Sequence, residues 1–412
     1  MSSDSYGLTL LAPRQKLVIH FLRFGPYHLA RLGSARDALA GKGWDVVGLE
    51  IASLDAVYKW KPTDDDSDLE RVTVFPGRIA EHISSRYLNQ SIANALNRLR
   101  PSAVAIAGWS QPDALACLKW CRRHHAQSIL MSETRQADGN RMWWKEQFKA
   151  RRVQAFDTAL VGGRSHEAYL RNLGFGAPIS FGYDVVDDSF FEEEAQRWQL
   201  SQRNLSHHFR PYLLASNRFI ARKNLARLIV AFVAVSSSSA SHAKVDLCLL
   251  GDGDQRQHLQ TLCRDLGITT LHAAPWDDQA RAEPEQAPRV LFPGFRQIEE
   301  LPRFYAHALA FVHPALAEPW GLVINEAMAA GLPILSSSNV GAAEELLVDG
   351  VNGYRFDPTS TASITQALSS FLALTAEERQ QMGLQSRQLL AERNPTSSFG
   401  QGLASLLCGV SM

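Results

Sequence analysis

The sequence predicts an α/β protein of two doubly wound parallel-sheet domains, and three observations carry that prediction. The chain has 412 residues, more than one ordinary hydrophobic core organises. Its first half alternates short apolar runs of strand length with amphipathic segments, the pattern of a parallel sheet covered by helices on both faces. After a polar, charge-rich stretch from Asp187 to Phe209, the same alternation starts again.

In the first half, Lys16-Leu-Val-Ile-His-Phe-Leu22 reads as a buried strand, and Gly25-Pro-Tyr-His28 opens a helix that continues towards Gly41. Further strands are expected at Asp45–Glu50, Ala103–Ala107, Ser128–Met131 and Thr158–Val161. In the second half they are expected at Pro211–Ala215, Val245–Leu250, Arg289–Phe292, Ala308–Val312 and Leu332–Leu335, each followed by a helical run. Ser236–Ser239 and Pro275–Pro288 are loops by composition. Pro395–Val410 is one more amphipathic helix. These limits give a first domain at 1–190, an inter-domain segment at 191–210, a second domain at 211–392 and a terminal helix at 393–412. No internal repeat is visible.

Hydrophobic residues make up 45% of the chain and charged residues 20%, a globular composition. The formal net charge is zero, so no overall field recruits nucleic acid. The five cysteines form no Cys-x-x-Cys pair and read as small core residues of a reducing compartment rather than disulfides or metal ligands. The first residues lack the basic and apolar regions of a secretory signal, and no apolar run approaches the ~20 residues that span a bilayer. A cytoplasmic protein is expected, able to rest on the inner face of a membrane.

The most informative stretch is Glu318-Pro-Trp-Gly-Leu-Val-Ile-Asn-Glu326. It follows a strand-like run, places Gly321 where a helix begins, and leads into another strand. The first N–H groups of such a helix form an anion site. Two carboxylates bracket it, roughly 12 Å apart if the stretch is helical throughout. The same pair would also suit a solvated helix face, or the acid and nucleophile of a glycosidase. Gly331-Leu-Pro-Ile-Leu, Gly341-Ala-Ala-Glu-Glu and Asp349-Gly-Val-Asn-Gly then follow in order. With that context the stretch resembles the Glu-x7-Glu signature of the retaining GT-B glycosyltransferases of family GT4.

The resemblance implies two Rossmann-like domains facing across a cleft, with the last helix crossing back onto the first domain. It covers nearly the whole chain and is tightest from about Tyr212 to Pro358. It assigns Arg218 and Lys223, in Ser216-Asn-Arg-Phe-Ile-Ala-Arg-Lys-Asn224, to the diphosphate of a nucleoside-diphosphate sugar donor. Fixed cations there stabilise the leaving group without a metal. Glu318 would contact the sugar hydroxyls, Gly321 and Leu322 would offer backbone N–H groups, and Glu326 would accept from the ribose hydroxyls. Carboxylates suit such diols because they are acceptor-only and bidentate. Phe295 and Arg296, after Phe292-Pro-Gly294, are candidates beside the nucleobase, with a UDP-sugar or GDP-sugar as the expected donor. Trp320 replaces a smaller or phenyl residue of the family, which leaves the sugar open. The resemblance thus implies a retaining hexosyltransferase of glycan or glycolipid biosynthesis, with no cofactor and no metal. The run of three aspartates, Asp64-Asp65-Asp66, lies in a polar loop rather than at a strand end.

The first domain should hold the acceptor, whether glycan, lipid-linked or small molecule. Gly25 lies in the loop that approaches the donor phosphates, where the family has paired glycines, and His28 is an acceptor-side candidate beside it. Glu133 occupies a position where many relatives have histidine, and is either an acceptor-side base or a solvated loop carboxylate. Arg141–Arg152 mixes Trp143, Trp144 and Phe148 with Arg141, Lys145, Lys149, Arg151 and Arg152. That composition fits a helix lying on an anionic membrane, with Trp143 and Lys145 near the acceptor; it fits equally a packing helix with buried tryptophans. Rival functions are another GT-B enzyme, such as a nucleotide-sugar epimerase or sugar phosphorylase, and a non-catalytic nucleotide-sugar binder.

Overall fold

The computed structural model describes residues 14–54, 68–139, 141–201, 209–237, 244–282 and 288–409. It contains two seven-stranded sheets, and every strand pair in both is parallel. The Asp64–Asp66 run, residues 238–239 of the first expected loop and residues 283–287 of the second lie outside the described residues, and Asp278–Ala282 of the second is a short helix rather than loop.

The first sheet comprises β1 (Gln15–Phe21), β2 (Trp44–Leu54), β3 (Arg71–Ile79), β4 (Ala103–Ala107), β5 (Gln127–Ser132), β6 (Thr158–Val161) and β7 (Ile179–Phe181). Their order is β3-β2-β1-β4-β5-β6-β7. Its helices are α1 (Pro26–Leu39), α2 (Ser85–Leu99), α3 (Pro112–His124), α4 (Trp143–Val153) and α5 (Arg164–Asn172). The central strands are buried along nearly their whole length, β4 as an unbroken apolar run, in keeping with a sheet covered on both faces.

The second sheet comprises β8 (Tyr212–Ser216), β9 (Asp246–Leu250), β10 (Thr269–Leu271), β11 (Arg289–Gly294), β12 (Ala310–His313), β13 (Ile334–Ser337) and β14 (Gly353–Phe356), in the order β10-β11-β9-β8-β12-β13-β14. Around it pack α7 (Leu225–Ser236), α8 (Arg256–Asp265), α9 (Asp278–Ala282), α10 (Leu301–His307), α11 (Leu322–Ala329), α12 (Gly341–Leu346), α13 (Thr361–Leu372) and α14 (Ala376–Arg393). Each sheet has a central switch point, between β1 and β4 in the first and between β8 and β12 in the second. Loops leaving the carboxyl ends of such strands diverge to either side, so ligands bind in the crevice between them.

The polar stretch between the sheets is not irregular. Asp188–Ser201 forms helix α6, which buries Phe191 and Ala195 in the second domain's core against α10 and α11. The terminal helix α15 (Ser397–Cys408) buries Phe399 and Leu403 in the first domain, beside Leu17, Ile19 and Tyr183. Ser34 of α1 donates to the Thr396 carbonyl at 2.8 Å and accepts from the Gly400 N–H at 3.0 Å. The chain therefore crosses back, as expected.

Candidate active site

The strand order explains the first pairing in the cleft. Because β8 lies directly beside β12, the loops after them emerge together. The loop after β8 turns tightly against Gly251, where a Cβ would collide with the Asn217 carbonyl. It then forms one helical turn, Ala221–Lys223, closed by Asn224 in the left-handed region that asparagine tolerates. The Asn224 amide donates to the carbonyls of Pro314 at 3.0 Å and Pro358 at 2.9 Å, fixing this loop to the one after β12. Lys223 Nζ consequently donates to Glu318 Oε2 at 2.7 Å, with Arg222 3.8 Å from the same oxygen. Burial lowers the Lys223 pKa, opposed by Glu318 and reinforced by Arg222 and Arg218. Arg218 is exposed at the start of the loop.

Two polar groups beside this pair have no hydrogen-bond partner: the Asn217 amide and both ring nitrogens of His313 are buried without one. Burial, with Lys223 and Arg222 nearby, holds His313 neutral. Buried polar groups left unpaired are uncommon and mark places where a polar ligand completes the bonding.

Glu318 itself is not helical. It pairs in an extended bridge with Val340, and α11 begins only at Leu322, so the helical spacing expected between the two glutamates does not apply. Gly321 caps α11 at φ 99°, a conformation that favours glycine. Gly321 and Leu322 thus stand at the helix start, where backbone N–H groups lack intrahelical acceptors. Glu326 lies inside α11 and is 1% exposed. It accepts from the Tyr27 hydroxyl at 2.8 Å and the Tyr305 hydroxyl at 2.7 Å. Burial pushes its carboxyl up to about 6, and the two phenols pull against that shift. Trp320 does not face the cleft. It is 1% exposed, donates to Asn325 at 2.9 Å and packs beside Gly162 of the first domain, so its size bears on the domain junction.

On the first domain, Gly25 is the N-cap of α1 and its N–H donates to His28 Nδ1 at 3.1 Å. The His28 ring packs 4.3 Å from that of Phe21. Burial, with Arg31 and Arg23, lowers His28 to about 3, so it is neutral and carries its proton on Nε2. Glu133 follows β5. Surrounding protein, Glu318 and Asp138 raise its carboxyl against the pull of Arg31 and Arg222. Buried Asp184 lies 3.5 Å from Arg31, whose guanidinium covers the Tyr183 ring at 4.7 Å. Burial and then Glu133 push Asp184 well above the ordinary range. Arg135, on the same loop as Glu133, reaches across the junction. It donates to the carbonyls of Glu318 at 2.6 Å and Asn339 at 2.8 Å, and to Glu344 at 2.7 Å.

Two groups of candidates stand apart from this cluster. Arg296 donates to Glu300 at 3.0 Å and to the Pro293 carbonyl at 3.3 Å. It lines a cavity of about 210 Å³ with Trp198, Trp276 and Arg303, while Phe295 is partly exposed beside it. On α4, Trp143, Trp144 and Phe148 are 78%, 52% and 56% exposed, and Lys145 lies 5.3 Å over the Trp144 ring. The buried-tryptophan alternative for this helix is therefore wrong. Lys149 alone among its cations is tied inward, to Glu146 at 2.6 Å and to the Tyr169 hydroxyl at 3.2 Å.

Residues 210–373 match the family model described as glycosyl transferases group 1. Through this domain the chain is similar to the group 1 glycosyl transferases. It is 33% identical over 127 residues to a glycosyltransferase of Methanocaldococcus jannaschii, 31% of this chain and 28% of that protein. It is 29% identical over 192 residues to the lipopolysaccharide core biosynthesis glycosyltransferase LpsE of Rhizobium meliloti, 46% of this chain and 45% of the other. The chain thus matches less than half the length of either relative. The fold extends further: the structure of Anabaena HepE in complex with UDP and glucose aligns with a TM-score of 0.69 over 96% of this chain and 100% of the other, at 14% identity. The two sheets and the returning helix are those of a GT-B fold.

Arg222, Tyr27, Tyr305, Arg31 and Arg135 escaped the sequence reading. Arg222 could have been found, since it adjoins Lys223 in the motif. The others reach the site from distant elements.

Proposed function

We propose that this protein is a retaining, metal-independent glycosyltransferase that moves a hexose from a nucleoside-diphosphate sugar to an acceptor, forming an α linkage. The observation that carries this is the convergence of Lys223, Arg222 and Glu318 at the switch point of the second sheet, beside the start of α11. Before donor binds, Lys223 is neutralised by Glu318. A donor entering there exchanges that pairing: the diphosphate takes Lys223 and Arg218, while Glu318 turns to the sugar hydroxyls. As the glycosidic bond breaks, negative charge grows on the leaving diphosphate, and the fixed cations stabilise it more than they stabilise the ground state. A leaving phosphate oxygen takes the acceptor's proton on the face it vacates, which retains configuration. Glu326 holds the ribose.

The acceptor enters from the first domain, past His28, Arg31 and Glu133. α4 points to where it comes from. No helix among the described residues is long and apolar enough to cross a membrane. However, α4 presents three exposed aromatic rings with Lys145, Arg151 and Arg152, a combination that favours the headgroup boundary of an anionic bilayer. The protein works at the inner membrane face, on a lipid-linked or anionic glycan acceptor. Incubation with UDP- and GDP-sugars and acceptor, followed by the NMR coupling constant of the product, tests the reaction. An α product formed at full rate in EDTA is expected. A β product, or a rate restored only by added Mg²⁺ or Mn²⁺, overturns it.

A further inference from the structure

The carboxylate that would hold the ribose already has a partner on each oxygen. Tyr305 bonds Glu326 Oε2 from α10 of the same domain, and its buried ring is wedged between Phe191 and Phe311. Tyr27 bonds Oε1 from the first turn of α1, in the other domain, 299 positions away. Its backbone is set by Pro26 in the first turn and by the Gly25–His28 cap. Its side chain, unlike that of Tyr305, is only partly buried and borders a cavity of about 1010 Å³ lined also by Leu29, Phe190, Ile298 and Glu299.

We propose that Tyr27 is a donor-gating residue: before nucleotide binds, its hydroxyl occupies the seat of a ribose hydroxyl on Glu326, and a nucleotide binds by displacing it. Tyr305 is fixed and stays, whereas Tyr27 has the neighbouring cavity to turn into. The exchange replaces a phenol donor by an alcohol donor on the same oxygen, so the buried carboxylate keeps two partners throughout. Displacement also removes one bond between α1 and α11, so ribose binding loosens the contact between the domains at that point. A ligand with phosphates but no ribose leaves Tyr27 in place.

The gate rests on Glu326 as the ribose carboxylate, so the experiment separates the two. Calorimetric titration compares the wild-type chain, Tyr27→Phe, Glu326→Gln and the double variant. The ligands are UDP, GDP and inorganic pyrophosphate, with circular dichroism confirming the native fold of each variant. Tyr27→Phe is expected to bind the preferred nucleoside diphosphate roughly fivefold to tenfold more tightly, the worth of one competing hydrogen bond. Pyrophosphate affinity should not change, and the gain should vanish when Glu326→Gln is also present. Unchanged or weaker nucleotide binding by Tyr27→Phe, with Glu326→Gln weakened, overturns the gate and leaves the ribose assignment standing. Wild-type affinity in Glu326→Gln overturns the assignment itself, and the gate with it.

Discussion

On the second-domain wall of the cleft, the carboxylates of Glu318 and Glu326 each hold a charged or phenolic partner within 2.8 Å. On α4 of the first domain, Trp143, Trp144 and Phe148 stand in the open and only Lys149 is tied down. In the first region both carboxylates already hold partners inside the protein, so the donor proposed above would bind by exchanging partners. The second region is incomplete without a surface to lie on, since its aromatic area gains from leaving water and nothing among the described residues covers it. The donor proposed above would meet side chains already held in place, while the aromatic face of α4 stands in the open.

The largest test of that contrast is on the donor wall. Lys223→Ala and Glu318→Gln should each lower turnover by ~10²-fold or more with the fold intact, because both act where transition-state charge develops. Near-normal turnover in either, with native circular dichroism, breaks the comparison. On α4, replacing Lys145, Arg151 and Arg152 by Ser should weaken co-sedimentation with anionic liposomes by roughly 10²-fold, at about 1 kcal/mol per cation, and leave donor affinity alone. Wild-type protein that ignores such liposomes reduces α4 to scaffold.

A smaller effect concerns pH. Glu326 accepts hydroxyl donors best as a carboxylate and is raised to about 6, so donor affinity should fall several-fold as pH drops from 7 to 5, and Glu326→Gln should abolish that dependence. The sign for stability is the reverse. A carboxyl raised above its unfolded value favours the native state at low pH, and that contribution is lost as pH rises through about 6. The smallest change is expected from Trp143→Ser, within about 0.5 kcal/mol in chemical denaturation, because a ring so exposed has little packing to lose.

The central strands were legible because a parallel strand buried on both faces is a nearly continuous apolar run, as in Ala103–Ala107 or Leu247–Leu250. β3, β7, β10 and β14 were missed for the converse reason. They lie at or near sheet edges, and three have only three or four residues, while β3 carries Pro76 and Gly77. Helix α6 falls in the expected inter-domain segment because its apolar face is narrow, with Phe191 and Ala195 buried among many charges. In the site, Lys223 and Glu318 sit in local motifs with a recognisable spacing. Tyr27 and Arg135 meet the same carboxylates' surroundings from 299 and 183 positions away, and a contact at that range leaves no local pattern. The expected 12 Å helical separation failed because Gly321 stops the helix short of Glu318.

Arg135 couples mechanics to chemistry. Its guanidinium grips the main chain on both sides of the Glu318 bridge, at the carbonyls of Glu318 and Asn339, while its own backbone continues β5 of the other domain. The loop bearing Glu318, the proposed sugar-side carboxylate, is thereby tethered to the opposite body. On that proposal a rotation that widens the cleft strains the tether and displaces Glu318, so opening and misalignment become one motion.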